Sequence, residues 1–474
     1  MSNLKALLIR FGQFSIGTLV IALLNLILIP VTTYFLAPAE YGKTSMFLLM
    51  QTLLIYVIYL GFDQAFTREF HDSEKKYTLL KQSMLIPLQF SIFLIIIMVT
   101  SAPIISKWLF ADSKYTLAIY LLAASCFLLV FERFILLFLR MENKALSFSI
   151  YSIMIKLTVF LGTIIALLIG LPVFITVVYG MLIGQILGDI LLIGIHYKLI
   201  CKGELRRDAK LQKKLARFAL PIVIGTILYS MLVVVDKIFL RYWVDFHELG
   251  IYVAAFKVAS ILMIFQLSFT NFWIPTAYEW YRESMPMIYF ERVSHIVMFI
   301  GSILFLLMLL FKNWVVVLVS PAYAEAQYIF PILCLYPLMM TVSETTCLGI
   351  VFLKKSSFNI YVSLTAVSIA FTLNILLIPK YGAAGAATAT GTAFIVFFFA
   401  RSLFSKFLWE SFSIRRHTFV IAMLYLLALY SVFLHFEWIE KSMISVVFFS
   451  ILFLYRKDIK LMWQLKNRKN RKGV

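Results

Sequence analysis

The sequence has little of what supports chemistry at an enzyme centre. It holds 4 cysteines and 6 histidines among 474 residues. Cys126, Cys201, Cys334 and Cys347 show neither a CxxC pair nor a histidine-rich spacing, so they predict no disulfide framework and no redox or metal site. Phosphate-cradling glycine-rich loops, GxSxG and HExxH motifs are also missing from the printed sequence. We therefore expect a protein that is not an enzyme and that uses no metal and no cofactor.

Charged residues are scarce as well. They make up 14% of the chain, whereas 62% of the residues are hydrophobic, and soluble domains average roughly 45 to 50% apolar residues. Apolar runs of about 20 residues recur between short polar breaks, which is the length that crosses a bilayer as a helix. About fourteen such runs begin near residues 11, 44, 79, 115, 146, 172, 217, 249, 288, 325, 357, 383, 417 and 440. The sequence predicts an all-α polytopic membrane protein with about fourteen spans.

The net charge of +20 raises the question of a nucleic-acid partner, and its distribution argues against one. With the N-terminus placed inside, about 33 of the 43 Lys and Arg fall in cytoplasmic segments, about 7 in external loops and about 3 within the membrane. The positive-inside rule therefore accounts for the basic balance. We expect cytoplasmic N- and C-termini, basic clusters that contact anionic lipid headgroups, and no nucleic acid.

The chain repeats itself after about 208 residues. Glu40-Tyr41-Gly42 follows the first predicted span, and Glu248-Leu249-Gly250 follows the seventh. We predict two six-span lobes, an arrangement typical of carriers that work by alternating access. The predicted division is an N-lobe at 1–200, a basic linker at 201–216, a C-lobe at 217–410, two further spans at 411–456 and a basic tail at 457–474.

Ionisable side chains inside the predicted spans are the main functional signal, because each costs at least about 2.5 kcal/mol at the bilayer centre. Lys156 lies near the middle of span five, and Lys257 lies in span eight. Neither has a carboxylate three or four residues away on its own helix, so a cavity lined by such ammonium groups would attract a phosphate or diphosphate. The other charged positions are Asp63, Arg68, Glu132, Arg133, Asp189, Asp236, Lys237 and Glu344.

Two structural readings of these charges stay open at this point. The presence of Asp63 and Arg68, or of Glu132 and Arg133, would also be explained if these side chains extend to the inner membrane interface. Asp236 would also be explained as a structural partner of a nearby lysine.

Four stretches resemble a known family. Ala37–Gly42, Gly61–Arg68, Asp236–Leu240 with Glu248–Lys257, and Asn374–Ala387 are similar to the bacterial polysaccharide biosynthesis flippases. These are the O-antigen and capsule repeat-unit (Wzx-type) members of the multidrug, oligosaccharidyl-lipid and polysaccharide exporter superfamily. The resemblance extends from the N-terminus to about residue 410.

The resemblance implies a carrier in the bacterial plasma (inner) membrane that moves undecaprenyl-diphosphate-linked oligosaccharide repeat units to the outer leaflet for O-antigen, capsule or exopolysaccharide assembly. It further implies a polysaccharide polymerase and other glycan assembly proteins as partners. By position, Arg68, Asp236 and Lys257 match charged residues of the family. The diphosphate and sugar candidates are Lys156, Lys257, Lys237, Arg68 and Arg133, and the candidates for ion coupling or charge pairing are Asp236, Asp63, Asp189 and Glu344.

Other functions remain to be distinguished. A cation-coupled multidrug extruder shares the predicted fold, but it would use carboxylates facing a cationic drug, whereas lysines are prominent here. A lipid II flippase for peptidoglycan would differ from a polysaccharide flippase in the molecule that it carries, but hardly in its physical mechanism. If the protein were a membrane scaffold for glycan assembly enzymes, its buried charges would be dispensable.

Overall fold

The structure is a computed structural model that describes residues 2–202, 208–353, 355 and 357–471. Part of the predicted linker, residues 203–207, lies outside the described residues, as do the last three residues of the predicted tail. Throughout the described ranges the regular elements are helices. They fall into two compact units, Met1–Ser230 and Met231–Val474.

The first unit contains nine helices and the beginning of a tenth within the described residues. They are α1 (Ser2–Phe35), α2 (Pro38–Ile58), α3 (Phe62–Glu69), α4 (Lys76–Thr100), α5 (Ala102–Phe110), α6 (Thr116–Met141), α7 (Ala145–Ile169), α8 (Phe174–Ile195), α9 (Tyr197–Cys201) and α10 (Ala209–Trp243). Because the unit boundary lies within α10, the start of the seventh predicted span groups with the first unit. The five-part division predicted from the sequence stays a prediction.

The second unit holds the remainder of α10 and ten further helices within the described residues. They are α11 (Phe246–Ala259), α12 (Met263–Arg282), α13 (Met287–Leu310), α14 (Asn313–Val319), α15 (Ala326–Leu333), α16 (Leu335–Thr346), α17 (Leu348–Phe352), α18 (Phe358–Leu408), α19 (Arg415–Phe433) and α20 (Glu437–Arg471). A 3₁₀ turn, Ser260–Leu262, joins α11 to α12, so the eighth predicted span is built from two helices.

The helix lengths confirm a polytopic membrane fold. Ten segments of the described residues are long and apolar enough to cross a membrane, and a bent pair inside α10 raises the number to eleven. One of them, α18, has 51 residues and covers both the eleventh and the twelfth predicted spans. Its helical path is interrupted at Gly382, where φ is 52° and ψ is −129°. The first two predicted spans correspond to α1 and α2.

The internal repeat has a structural counterpart in two glutamates. Glu40 Oε2 accepts a hydrogen bond of 2.8 Å from the backbone N–H of Phe174, the first residue of α8. Glu248 Oε2 accepts a hydrogen bond of the same length from the N–H of Ala383, just after the interruption of α18. A carboxylate is stabilised at a helix N-terminus, where backbone N–H groups lack partners and the helix dipole is positive. The duplicated motif therefore caps an equivalent helix start in each unit.

Small residues bring α7 and α8 together in the first unit. A Cβ atom added to Gly184 would lie 2.4 Å from the carbonyl oxygen of Thr158, and one added to Gly188 would lie 2.5 Å from its Oγ1. Gly180 makes a similarly close approach to Gly162. Glycines four residues apart let helices in a membrane approach closely, where van der Waals packing replaces the hydrophobic effect. This contact places one face of α8 directly against the middle of α7.

Candidate functional site: a charged cavity in the first unit

A cavity of about 610 Å³ lies inside the first unit. Its walls come from α1, α2, α6, α7, α8, α10 and the segment around α3. Three basic side chains, Arg133, Arg140 and Lys156, line it together with the carboxylates Asp63 and Glu132. Ionisable groups that face a cavity between membrane-spanning helices are typical of substrate or ion pathways.

Asp63 and Arg133 form an ion pair in this cavity. Arg133 Nη2 and Nε donate to Asp63 Oδ2 at 2.6 and 3.1 Å. The Asp63 side chain is 9% exposed and that of Arg133 is 40% exposed. The pair joins residues 70 positions apart in the sequence. The structure therefore shows that these two charges pair with each other, while a position near the interface stays open.

Asp63 follows a tight backbone turn between α2 and α3. Leu60 and Gly61 both have positive φ, at 46° and 72°, and glycine adopts this left-handed region without a steric penalty. A Cβ atom at Gly61 would lie 2.7 Å from the carbonyl oxygen of Ala219. The sequence predicts that Asp63 and Arg68 lie at the end of the second span, but after this turn they lie on the separate short helix α3.

Lys156 reaches the cavity from the middle of α7, as its depth in the sequence predicts. The residue is half-buried. It interacts electrostatically with Glu132 of α6, so an acidic neighbour is supplied by another helix rather than by its own.

Asp189 lies behind the cavity wall, fully buried on α8. The side-chain amide of Gln185 contacts two carboxyl groups at once: Nε2 donates to Glu132 Oε2 at 2.9 Å and to Asp189 Oδ1 at 2.8 Å. Gln185 and Asp189 are four residues apart and therefore share a helix face. The close packing of α7 and α8 holds that face against the cavity.

Uncharged polar groups complete the lining. Amides, a phenol and hydroxyl groups suit the hydroxyl groups of a sugar, because they both donate and accept hydrogen bonds. They are contributed by Gln51, Tyr59, Gln64, Ser152, Gln185 and Thr226.

Arg68 does not line the cavity. Its side chain is exposed, and the guanidinium carbon lies 4.3 Å from the centre of the Phe218 ring. Arg68 of α3 therefore forms a cation–π contact with Phe218 of α10.

Asp236 occupies a separate polar cluster in the second unit, with 1% of its surface exposed. Tyr252 donates its hydroxyl hydrogen to Oδ2, and Thr390 Oγ1 donates to the same oxygen at 3.2 Å. Lys237 Nζ lies 3.4 Å from Oδ1. This ion pair agrees with the interpretation that Asp236 is a structural partner of a nearby lysine, and the lysine is Lys237.

Lys257 and Glu344 lie elsewhere in the second unit. Lys257 is half-buried in the last turn of α11, next to the 3₁₀ turn that leads to α12. Glu344 Oε1 accepts a hydrogen bond of 2.8 Å from Arg401 Nη1 of α18. The two side chains are 11% and 13% exposed.

Sequence reasoning missed Arg140 and Arg401. Arg140 follows Arg133 by seven residues on α6, a spacing that returns to the same helix face, and this periodicity was the available signal. No local pattern points from Glu344 to Arg401, which lies 57 residues further along the chain. The glycine spacing at 180, 184 and 188 was a further signal for the packing that supports the site.

Known structures share this fold. The chain is similar to the lipid II flippase MurJ in an inward closed conformation, with a TM-score of 0.72, 16% identity and coverage of 94% of this chain and 99% of that one. It is also similar to a multidrug resistance MATE family transporter of the MOP superfamily, in an inward-facing conformation (TM-score 0.61, 13% identity, 84% and 97% covered) and in an outward-facing one (TM-score 0.58, 13% identity, 84% and 95% covered). At these identities the likeness establishes the fold.

The search of curated proteins found no sequence match. The family model described as "Polysaccharide biosynthesis protein" matches residues 11–279, more than half of the chain. The resemblance seen in the sequence motifs is thereby confirmed, and this multi-pass membrane protein belongs to the polysaccharide biosynthesis protein family.

Proposed function

We propose that this protein is a flippase that moves undecaprenyl-diphosphate-linked oligosaccharide units from the cytoplasmic to the outer leaflet of a bacterial plasma membrane. The observation that carries the proposal is the cavity of the first unit, where Arg133, Arg140 and Lys156 meet among membrane-spanning helices. Basic groups in such a place suit an anion that cannot cross hydrocarbon unaided, because its charge would lose hydration.

The chemistry of the lining supports a diphosphate that carries sugars. A guanidinium donates two parallel hydrogen bonds to a phosphate, while an ammonium acts as a point charge. The amides and hydroxyl groups of the same lining suit saccharide hydroxyl groups, and the polyprenyl tail is soluble in the bilayer itself. Alternating access would then carry the head group across the membrane, in a protein whose termini are cytoplasmic. The end product would be the surface polysaccharide (O-antigen, capsule or exopolysaccharide).

Within this proposal, Lys156 and Arg133 are the principal diphosphate ligands. Arg133 exchanges the carboxylate of Asp63 for a phosphate oxygen when substrate binds. Arg68, Lys237 and Lys257 stay candidates for later contacts with the head group. Asp63, Asp189, Asp236 and Glu344 stay candidates for ion coupling or charge pairing, and a glycan polymerase stays a candidate partner.

The test follows lipid-linked glycan in bacterial cells that lack this chain. We expect the lipid-linked intermediate to accumulate on the cytoplasmic side and surface glycan to disappear, and wild-type protein to restore both. Lys156→Met should restore neither, because the cavity loses an ammonium group. Lys144→Met is the matched control, since Lys144 is exposed at the start of the same helix.

Membrane insertion and abundance of each variant are measured alongside. Normal surface glycan in cells lacking the chain, together with new sensitivity to cationic dyes, would instead support multidrug extrusion. Loss of peptidoglycan precursor export would support a lipid II flippase. Full activity of a normally inserted Lys156→Met/Arg133→Met variant would overturn the cationic site and favour a scaffold.

A further inference from the structure

Two carboxyl groups beside the cavity share a single amide donor. The NH₂ group of Gln185 contacts one oxygen of Glu132 and one of Asp189. Asp189 is 0% exposed, and its second oxygen, Oδ2, has no hydrogen-bond partner among the described residues. A buried polar atom without a partner carries a desolvation cost and calls for a ligand that supplies the missing bond. A proton carried by one of the two carboxyl groups supplies that bond, because the O–H of one group then donates to an oxygen of the other.

The surroundings favour one proton at this place. Two carboxylates that share a site repel each other, and one proton held between them removes the repulsion. The titratable and charged groups that face the pair from the neighbouring elements are Tyr59 at the end of α2, Asp63 of α3, Arg133 of α6 and Lys156 of α7. Arg133 is already paired with Asp63. Lys156 offers the pair one positive charge against two carboxylates.

We propose that Glu132 and Asp189 hold one proton between them, and that this proton and a phosphate-type anion bind the first-unit cavity cooperatively. The proton neutralises one acidic group beside Arg133, Arg140 and Lys156, so the three cations are less compensated. An anion then binds more tightly. Because linkage is reciprocal, the bound anion strengthens proton binding by the same factor. The cooperative part of this proposal rests on the proposed function, whereas the proton site itself does not.

The proton site is tested without any ligand. Full-length protein in lipid nanodiscs is examined by infrared difference spectroscopy between high and low pH, where a protonated carboxyl gives a C=O stretching band. We expect a band that disappears in both Glu132→Gln and Asp189→Asn but persists in Glu74→Gln, whose carboxyl is exposed in a loop. Asparagine and glutamine keep the size of the side chain. Folding is checked by elution volume and thermal unfolding. A wild-type band unchanged in both folded variants would overturn the proton site.

The linkage is tested with inorganic diphosphate as the probe. Calorimetric titrations in buffers of low and high ionisation enthalpy report the number of protons taken up on binding. Protons that the diphosphate itself takes up contribute equally in wild type and in Asp189→Asn, so the difference between the two proteins cancels them. We expect net uptake in wild type and an affinity that rises by up to about tenfold per pH unit as pH falls, since one proton is linked. Asp189→Asn should bind with a much flatter pH dependence.

The outcomes separate the two proposals. Diphosphate binding with equal proton uptake in wild type and Asp189→Asn would overturn the linkage and leave the flippase proposal standing. Absence of diphosphate binding at every pH would overturn the anion cavity and the linkage, while the infrared band would still support the proton site.

Discussion

Asp236 shows how a single charged residue is accommodated in a membrane-spanning helix. Its carboxylate receives hydrogen bonds from Tyr252, Thr390 and the backbone N–H of Lys237. The Lys237 ammonium lies near the Asp236 carboxylate and 4.6 Å from the centre of the Phe256 ring. Buried charge is tolerated when it is paired and its hydrogen bonds are supplied.

Tyr252→Phe removes one of these bonds, together with the 3.2 Å contact between the Tyr252 and Thr390 hydroxyl groups. The ring is retained, so packing and the cation–π contact with Lys237 at 5.6 Å are unchanged. A buried carboxylate loses a hydroxyl donor. We expect the free energy of unfolding to fall by about 1.5 to 3 kcal/mol, the range for hydrogen bonds to charged groups. Denaturant unfolding in detergent measures it. Tyr242→Phe, at a side chain 79% exposed, is the control, and equal stability of the two variants would show that the Tyr252 bond contributes little.

The position of a residue along its helix was predictable from the sequence, but residue pairing was not. Counting along apolar runs placed Lys156 in the middle of a helix, and it lies in the middle of α7. Sequence spacing identifies partners only three or four residues apart on a helix. Asp63 and Arg133 are 70 residues apart, and Asp236 and Thr390 are 154 apart. Such pairs depend on how whole helices pack, which a single sequence does not specify.

At the scale of elements, the interruption of α18 follows from one residue. Gly382 adopts a backbone conformation that side chains with a Cβ rarely reach. A Cβ atom there would lie 2.6 Å from Glu248 Oε2, the atom that caps the second half of the helix. The sequence predicted two spans here from the length of the apolar run. The sequence did not show that these two spans join without a loop. The turn between them needs only Gly382 and the carboxylate of Glu248, which is distant in the sequence.

Gly382→Ala should therefore destabilise the second unit. Strained backbone of this kind costs about 1 to 3 kcal/mol, and displacement of the Glu248 carboxylate removes the cap as well. Gly194→Ala is the control, since a Cβ atom there meets nothing within 4 Å and alanine is the better helix former. We expect thermal unfolding in detergent to shift down for the first variant and to stay or rise for the second. Equal shifts would argue against strain at residue 382.

At the scale of the molecule, composition and the internal repeat were sufficient for the fold class. A chain with this much apolar surface has to use lipid as solvent. The duplicated motifs predicted an internal repeat, and the two helix caps are its structural counterpart. The cavity was not predictable as a unit. Its charges come from α3, α6 and α7, and their convergence depends on the backbone turn at Gly61 and on the glycines of α8. The turn has no hydrophobic period from which it can be read. The glycine spacing indicates close packing but does not identify the helix that packs there.

A buried ion pair also connects the last helix to the rest of the second unit. Lys312, just before α14, pairs with Glu440 of α20, and the two side chains are 8% and 3% exposed. Nearby, Lys441 and Glu437 form an exposed pair at 3.2 Å, with side chains 65% and 60% exposed. The two pairs share chemistry and differ in burial, so they form a matched comparison.

Removal of one partner of the buried pair should be far more damaging than removal of both. Glu440→Leu leaves the Lys312 ammonium buried without its carboxylate, and we expect a loss of about 3 to 5 kcal/mol in the free energy of unfolding. The double variant Lys312→Met/Glu440→Leu should recover most of that loss, because no unpaired charge remains. Lys441→Met should change stability by less than about 1 kcal/mol, as expected for an exposed pair. A double-mutant cycle of unfolding in detergent measures the coupling. Additive effects of the two buried substitutions would mean that this pair contributes no coupling energy to the attachment of α20, and the pair would then be a consequence of the fold rather than one of its supports.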